Sequence, residues 1–352
     1  MPLAQSTSCD DRGRLPTLDG LRGLASLAVM WFHFTKQVTP TIGEGVVHLS
    51  GKYGWLGVQV FFVISGFVIP YSLHRANYRI SCYGKFLLKR ITRLDPPYLL
   101  SIGLIIAYQF LLTTRPTYAG EQFHISVPQL LCHFAYLNVI FGYEWYNGVF
   151  WSLAIEFQYY LLIGLLYPLL FGRGQRVRQL SMGALLILSF IPSSPYIFSY
   201  IGFFLLGFAT LSNHLMMLSK KTYLSWVVVL GGSLIFTSGL IPALIGATTA
   251  LIISAVRLDF RILSLFGVIS YSLYLLHGPL GLPILGYLQA RTGSAYISLM
   301  LAVPLTLLAA SFYYLLVERP SQLLSSRFNY QAVLHRSPAK ILIPKPLSQE
   351  TS

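Results

Sequence analysis

An arginine and a histidine in the first apolar run are spaced so that they could act together in catalysis. Arg22 and His33 are eleven residues apart, so on an α-helix both face one side, about 16 Å apart along the axis. A neutral histidine is a natural general base near pH 7, and arginine binds phosphate by charge-assisted hydrogen bonds. The pair indicates an extended donor with its phosphates at Arg22 and its reactive end at His33. Asp19, three residues before Arg22, is expected to cap the helix or pair with the arginine.

Two further ionisable residues lie inside apolar runs. Glu156 follows Trp151 in a run that begins near residue 147, and His277 ends the segment 270–277. Because an ionisable side chain at the centre of a membrane helix costs about 2.5–3.5 kcal/mol on insertion scales, such residues need a partner or a function. We expect Glu156 to orient or charge-stabilise His33, as a carboxylate does in a catalytic triad, or to bind an acceptor hydroxyl. His277 either lines the acceptor path or is a structural, hydrogen-bonded histidine, and the other two also have structural interpretations.

The composition places these residues in a membrane. The chain has 352 residues, of which 55% are hydrophobic and only 10% are charged, and its mean hydropathy is +0.63. Because a soluble domain carries about 25% charged residues, these values exclude a soluble globular protein. Apolar runs of about 20 residues are long enough to cross the hydrocarbon core of a bilayer.

Ten such runs predict an all-α polytopic membrane protein with about ten transmembrane helices. They lie roughly at 18–37, 54–73, 94–112, 147–171, 177–192, 196–212, 222–239, 241–256, 262–288 and 295–317. The same boundaries divide the chain into an N-terminal segment (1–17), a membrane domain (18–320) and a polar tail (321–352) that is expected to be disordered. The first run contains Arg22 and is not followed by a small-residue cleavage site, so we expect it to remain as a helix.

The basic residues predict how these helices are oriented. The net charge is +14, and with the N-terminus inside, almost all Lys and Arg between the runs fall on the inner side. By the positive-inside rule both termini are predicted to be cytoplasmic, in the inner or plasma membrane. Orientation explains most of these charges, although the most basic loop, 74–93, also fits an anionic phosphate. The charges form no clustered face, so we expect no nucleic-acid partner.

Motifs of soluble enzymes are absent from the sequence. It contains no Gly-x-Ser-x-Gly elbow, Walker A loop, dinucleotide fingerprint or His-Glu-x-x-His helix. The cysteines Cys9, Cys82 and Cys132 have no paired spacing, so neither a disulfide framework nor a metal site is expected. Any chemistry therefore belongs to the membrane residues.

Six short motifs follow one another along the apolar runs. They are the segment 18–25 with His33, the segment 57–67 with Ser65, the residues Arg90 and Arg93 followed by Pro96, the segment 151–153 with Glu156, the segment 270–274 with His277, and the segment 318–320. Their order resembles that of acyltransferase family 3, the multi-spanning membrane O-acyltransferases of bacterial polysaccharides and related glycans. Many members of this family carry an acidic residue where this chain has Gln59.

The resemblance implies an acyl-coenzyme A donor, most simply acetyl-CoA, that binds from the cytoplasm, and it implies no tightly bound cofactor. By this analogy His33 is catalytic, with Glu156 in support, and Arg22, Arg90 and Arg93 hold the phosphates and pantetheine of the donor. Many relatives carry a fused extracytoplasmic domain. Because the chain ends soon after Pro320, we expect direct acylation of the acceptor or a separate extracytoplasmic partner.

Two further sets of residues complete the predicted site. His277, Trp151 and Tyr274 are expected to bind the acceptor. Asp19, Ser65 and Glu318 are expected to have structural or supporting roles, with Glu318 at the inner surface where the last run ends.

These observations predict a membrane O-acyltransferase, specifically an O-acetyltransferase (EC 2.3.1.-), that acts on a hydroxyl of a carbohydrate or cell-envelope glycan. Ten spans with buried His, Glu and Arg are also typical of a proton-coupled transporter or flippase. Such a carrier is disfavoured because the sequence shows no internal repeat with matching broken helices. A non-catalytic scaffold would leave Arg22 and His33 unexplained. The acceptor, the acyl chain length and the oligomeric state stay open.

Overall fold

The computed structural model of the protein describes residues 16–114, 123–172, 174–191, 196–256 and 261–328. Within these ranges every regular element is helical, which confirms the all-α prediction. The helices of the first half are α1 (Pro16–Ile42), α2 (Val46–Gly51), α3 (Gly57–Arg75), α4 (Tyr83–Thr113), α5 (Val127–Phe134), α6 (Phe150–Phe171) and α7 (Gly174–Leu188).

The second half contains eight helices and two turns of π-helix. Its helices are α8 (Ile201–His214), α9 (Lys220–Ser238), α10 (Leu240–Ala255), α11 (Arg261–Val268), α12 (Ser270–Leu276), α13 (Leu282–Thr292), α14 (Ala295–Tyr313) and α15 (Arg319–Ser326). The π-helical turns lie at His277–Gly281 and Tyr314–Glu318. Each turn contains a residue that the sequence singled out: His277 begins the first turn, and Glu318 ends the second.

Five helical segments within the described ranges are long and apolar enough to cross a membrane. They are Val46–Arg75, Ile80–Thr113, Phe150–Phe171, Ile197–His214 and Ala295–Ser326. A sixth is formed if Arg261–Val268 and Ser270–Thr292, which are bent by 56° relative to each other, count as one span. Each of the ten predicted runs overlaps a helix of the described ranges, but α7 and α10 have only 15 and 16 residues. The number of ten spans and the orientation of the termini therefore stay predictions.

Helix α1 is the element on which the candidate site is built. It is 27 residues long and carries Asp19 in its first turn, where a negative charge stabilises the positive end of the helix dipole. It packs against α3, α11 and α12. Arg22 and His33 thus lie on one helix, α1, and face different neighbouring helices.

Two glycines allow α3 and α8 to cross closely. A β-carbon at Gly66 would overlap the carbonyl oxygen of Phe204, and one at Gly207 would overlap the carbonyl oxygen of Val63. Small residues at such crossings let backbones approach, which is how membrane helices gain packing energy. The aromatic core beside the crossing includes the fully buried Phe67 and Phe203.

A buried carboxylate caps the helix after the bend between α11 and α12. Glu318 Oε2 accepts hydrogen bonds from the Ser272 backbone N–H at 3.1 Å and from the Ser272 hydroxyl at 2.5 Å. Ser272 is the third residue of α12, so the carboxylate satisfies a free N–H at the positive end of that helix. Glu318 is only 4% exposed and is buried among the helices, and its place at the inner membrane surface stays a prediction.

The last helix does not end where the predicted membrane domain does. Helix α15 runs through Pro320 to Ser326, so the first residues assigned to a disordered tail are helical. Proline is accommodated because it occupies the second position of α15. Residues 329–352 of the tail and residues 1–15 of the N-terminal segment, including Cys9, lie outside the described ranges.

The α3–α8 crossing generates a stability prediction. Replacing Gly207 by Ala is expected to lower the melting temperature by roughly 2–10 °C, because overpacking a close contact costs about 1–3 kcal/mol. Tryptophan fluorescence during heating of the protein in nanodiscs measures the change. The matched control is Gly103→Ala in α4, where a β-carbon meets no atom within 4 Å. Equal melting temperatures for the two variants would contradict the close crossing.

Candidate active site

A large pocket opens among α1, α3, α4, α6, α12 and the π-turn that contains Glu318. Its volume, including the open mouth, is about 1320 Å³. The charged residues that line it are Asp19, Arg22, Arg90, Arg93, Glu156 and Glu318. The structure therefore brings together the three arginines and the three acids of the motifs, although Asp19 and Glu318 lie 299 positions apart in the sequence.

The arginines converge because the ends of three helices meet. Arg22 is near the start of α1, Ser72 is near the end of α3, and Arg90 and Arg93 lie in the first third of α4. Arg90 Nη2 donates to Ser72 Oγ at 2.7 Å, and its guanidinium lies over the Tyr160 ring at 5.5 Å from the centroid. Three guanidinium groups around one cavity can bind an anion, and the acids Asp19, Glu156 and Glu318 line the same cavity.

Glu156 faces the arginine pocket. Its Oε1 accepts a hydrogen bond of 2.7 Å from the Ser65 hydroxyl, and its carboxylate also bonds to the Tyr160 hydroxyl. The Glu156 carboxylate thus bonds to α3 and to its own helix, and the rings beside His33 are those of Phe32 and His277. That Glu156 orients His33 stays a prediction, as does the supporting role of Ser65.

The two histidines form a pair beyond the pocket. The ring centroids of His33 and His277 are 5.1 Å apart, and His277 is 1% exposed. Neither histidine lines the pocket. Tyr274 separates them from it, since this residue lines the pocket and its ring lies 5.8 Å from the His277 ring and 5.8 Å from the Phe61 ring.

The tyrosine between the pocket and the histidines is held by the start of α6. The Tyr274 hydroxyl is 2.6 Å from Ser152 Oγ and donates to the Val149 carbonyl at 3.1 Å. Trp151, which was expected to bind the acceptor, does not line the pocket and instead packs against Tyr200 at 5.3 Å. The Trp151 side chain therefore makes a packing contact with Tyr200, and the neighbouring residue Ser152 lines the pocket.

Several residues of the site were missed by sequence reasoning. Tyr160 follows Glu156 by one helical turn, so helical spacing could have identified it as a partner. Ser72 is a small polar residue with no distinguishing pattern, and Ser152, although it lies in the motif 151–153, was given no role; only the packing of the helices reveals their contacts. No group of three or more His, Cys, Asp or Glu that could hold a metal ion occurs among the described residues.

Comparison with known proteins decides the family. A family model described as an acyltransferase domain, that of acyltransferase family 3, matches residues 15–317. The chain belongs to acyltransferase family 3. The resemblance inferred from motif order is confirmed, and the relatives found by comparison are named acyltransferases. Its long apolar helices make this family member a membrane protein, and nothing in these comparisons favours a transporter.

Curated relatives of this family member cover only part of its length. The acyltransferase MdmB of Streptomyces mycarofaciens is 32% identical over 44% of this chain and 40% of its own. The putative acetyltransferase ORF330 of Acidianus two-tailed virus is 31% identical over 51% of this chain and 50% of its own. The O-acetyltransferase OatA of Staphylococcus aureus is 28% identical over 50% of this chain and 30% of its own. The chain thus spans half or less of these relatives. No solved structure matches it.

The capping carboxylate generates a prediction for the site. Replacing Glu318 by Gln is expected to lower the melting temperature by roughly 3–10 °C, because hydrogen bonds to a buried charged group contribute about 1.5–3 kcal/mol. The control is Glu144→Gln, a change of the same chemistry at an exposed residue. Thermal unfolding in nanodiscs measures both. A Glu318→Gln variant as stable as the control would show that the carboxylate does not hold α12.

Proposed function

We propose that this protein is a membrane O-acyltransferase, specifically an O-acetyltransferase, that moves an acyl group from acyl-CoA to a hydroxyl of a carbohydrate or cell-envelope glycan. The observation that carries the proposal is the pocket lined by Arg22, Arg90 and Arg93 beside the pair of His33 and His277. It unites a binding site for a polyanionic donor with a candidate general base. The names of the relatives, two of which are called acetyltransferases, support acetyl as the group transferred.

The donor is proposed to enter from the cytoplasm. The start of α1, the end of α3 and the start of α4 meet at the arginine pocket, and these ends adjoin the basic segment 74–93. With ten spans and both termini inside, this is the cytoplasmic end of the bundle. In this arrangement His33 lies towards the opposite side, from which the acceptor approaches.

The arginines are proposed to hold the phosphates of coenzyme A. A guanidinium donates two parallel hydrogen bonds to phosphate, and three of them neutralise several negative charges. Glu156 and its hydroxyl partners Ser65 and Tyr160 lie on the way from the arginines to Tyr274. Their role in this proposal is to accept hydrogen bonds from the amide N–H groups of the donor's pantetheine arm.

The chemical step is proposed to take place at His33. The imidazole takes the proton of the acceptor hydroxyl while the hydroxyl oxygen forms a bond to the thioester carbonyl carbon. The carbon–sulfur bond then breaks, and the departing thiolate receives the proton from the imidazolium. The products are an ester and free coenzyme A. Since Tyr274 and Phe61 lie between the pocket and His277, their rings must move aside for the thioester to reach the histidines.

Acetyl-CoA turnover in nanodiscs tests this proposal. With a mixed pool of cell-envelope glycans as acceptor, the native protein is expected to release free coenzyme A. His33→Ala is expected to lower this rate by about 10²–10⁴-fold, the usual contribution of a general base. The control is His124→Ala, an exposed histidine outside the pocket. Uptake of glycan without thioester cleavage would contradict the proposal and favour a carrier.

A further inference from the structure

An asparagine that the proposed mechanism does not use lies beside the histidine pair. Asn147 precedes α6, and its Oδ1 accepts a hydrogen bond of 3.3 Å from the Val149 backbone N–H. This bond fixes which end of the amide is the oxygen. The other end, Nδ2, is buried and has no hydrogen-bond partner in the described part of the chain.

The amide of Asn147 packs directly onto the backbone next to His277. A β-carbon at Gly278 would lie 2.9 Å from Asn147 Oδ1 and 3.0 Å from Nδ2. Such distances are shorter than real contacts, so the Asn147 amide fits at this position only because residue 278 is a glycine and has no side chain. Gly278 belongs to the π-helical turn His277–Gly281, a local distortion that is frequent at functional sites.

His277 also has one unused ring nitrogen. Its Nδ1 is 3.2 Å from the Leu273 carbonyl oxygen. Because a carbonyl only accepts, Nδ1 carries the proton, and Nε2 is left as an acceptor. Nε2 is buried and, within the described ranges, has no partner. Native proteins rarely leave a buried polar atom unpaired, so one on Asn147 and one on His277, the residue before the glycine that Asn147 contacts, require an explanation.

The two atoms have complementary chemistry. Asn147 Nδ2 can only donate, and His277 Nε2 in this tautomer can only accept. A hydroxyl group, which both donates and accepts, satisfies the pair, whereas a carboxylate only accepts and an ammonium only donates. We infer that Asn147 Nδ2 and His277 Nε2 together bind a hydroxyl of the acceptor that is not the hydroxyl being acylated.

This second hydroxyl site rests on the proposed function, in which His33 takes the proton of the reacting hydroxyl. The ring centroids of His33 and His277 are 5.1 Å apart, a separation short enough for the two hydroxyls to belong to neighbouring carbons of one acceptor. The site therefore selects a vicinal diol over an isolated alcohol. Asn147 and His277 are specificity-determining residues in this account, and His33 is the catalytic one.

Two small alcohols of matched shape test the inference. The native protein in nanodiscs, supplied with acetyl-CoA, is expected to acetylate trans-cyclohexane-1,2-diol with a kcat/KM about 10-fold or more above that for cyclohexanol, the effect of one hydroxyl bound by buried partners. In Asn147→Ala this selectivity is expected to fall to about one. The selectivity is a ratio within one preparation, so it does not depend on how much of a variant folds.

The conservative variant Asn147→Asp distinguishes binding of a hydroxyl by residue 147 from a purely structural role of that residue. The carboxyl keeps the oxygen that accepts from Val149, but it has a donor only when protonated. Its diol selectivity is therefore expected to be low at neutral pH and to rise as the pH is lowered, measured relative to the native protein at each pH. Asn147→Ala is expected to show no such rise.

Two results would overturn the inference and leave the proposed function standing. One is equal acetylation of the two alcohols by an active native protein, and the other is an Asn147→Ala variant that keeps the diol preference. A native protein that neither binds acetyl-CoA nor releases coenzyme A with the glycan pool would instead refute the proposed function, and the second hydroxyl site with it.

Discussion

The cost of placing charge in a membrane is the constraint around which this protein is organised. Isolated charged side chains at the centre of a bilayer cost about 2.5–3.5 kcal/mol each on insertion scales, so they persist only where they gather around one another or a ligand. Here Arg22, Arg90 and Arg93 share one pocket with Glu156 and Glu318. The carboxylates are held by hydroxyl and backbone donors. The polar residues thus form one continuous cavity, and the outward faces of the helices are left apolar.

Helix α1 connects the two halves of the site. It carries Arg22 in the pocket and His33 at the histidine pair, so a single helix connects the arginine pocket to the histidines. Tyr274, held by Ser152 and Val149, lies between these halves. The arrangement has two parts: one is a pocket lined by three arginines and three acids, and the other presents histidine and amide groups. A reaction between an anionic thioester and an uncharged alcohol needs both.

The sequence predicts the parts of this site that depend on spacing along one helix. It does not predict which helices pack against one another. The register of Arg22 and His33 follows from the helical repeat, and the order of the motifs identifies the family. The bond of Glu156 to Ser65 on α3 was not predicted, because periodicity shows which face of a helix is polar but not which neighbour that face meets. Asn147 has no motif at all, and its place beside Gly278 depends on a loop folding back onto a π-turn.

The central claim is that the donor binds at one face of the membrane and the acceptor reaches the histidines from the other. The most direct test supplies radiolabelled acetyl-CoA to the outside of sealed vesicles of opposite orientation, both of which hold the protein and an envelope glycan. The account predicts labelled ester with inverted vesicles, whose cytoplasmic face is outward, and none with right-side-out vesicles until they are permeabilised. Equal labelling of intact right-side-out vesicles would contradict it, because the arginine pocket would then open to the wrong side.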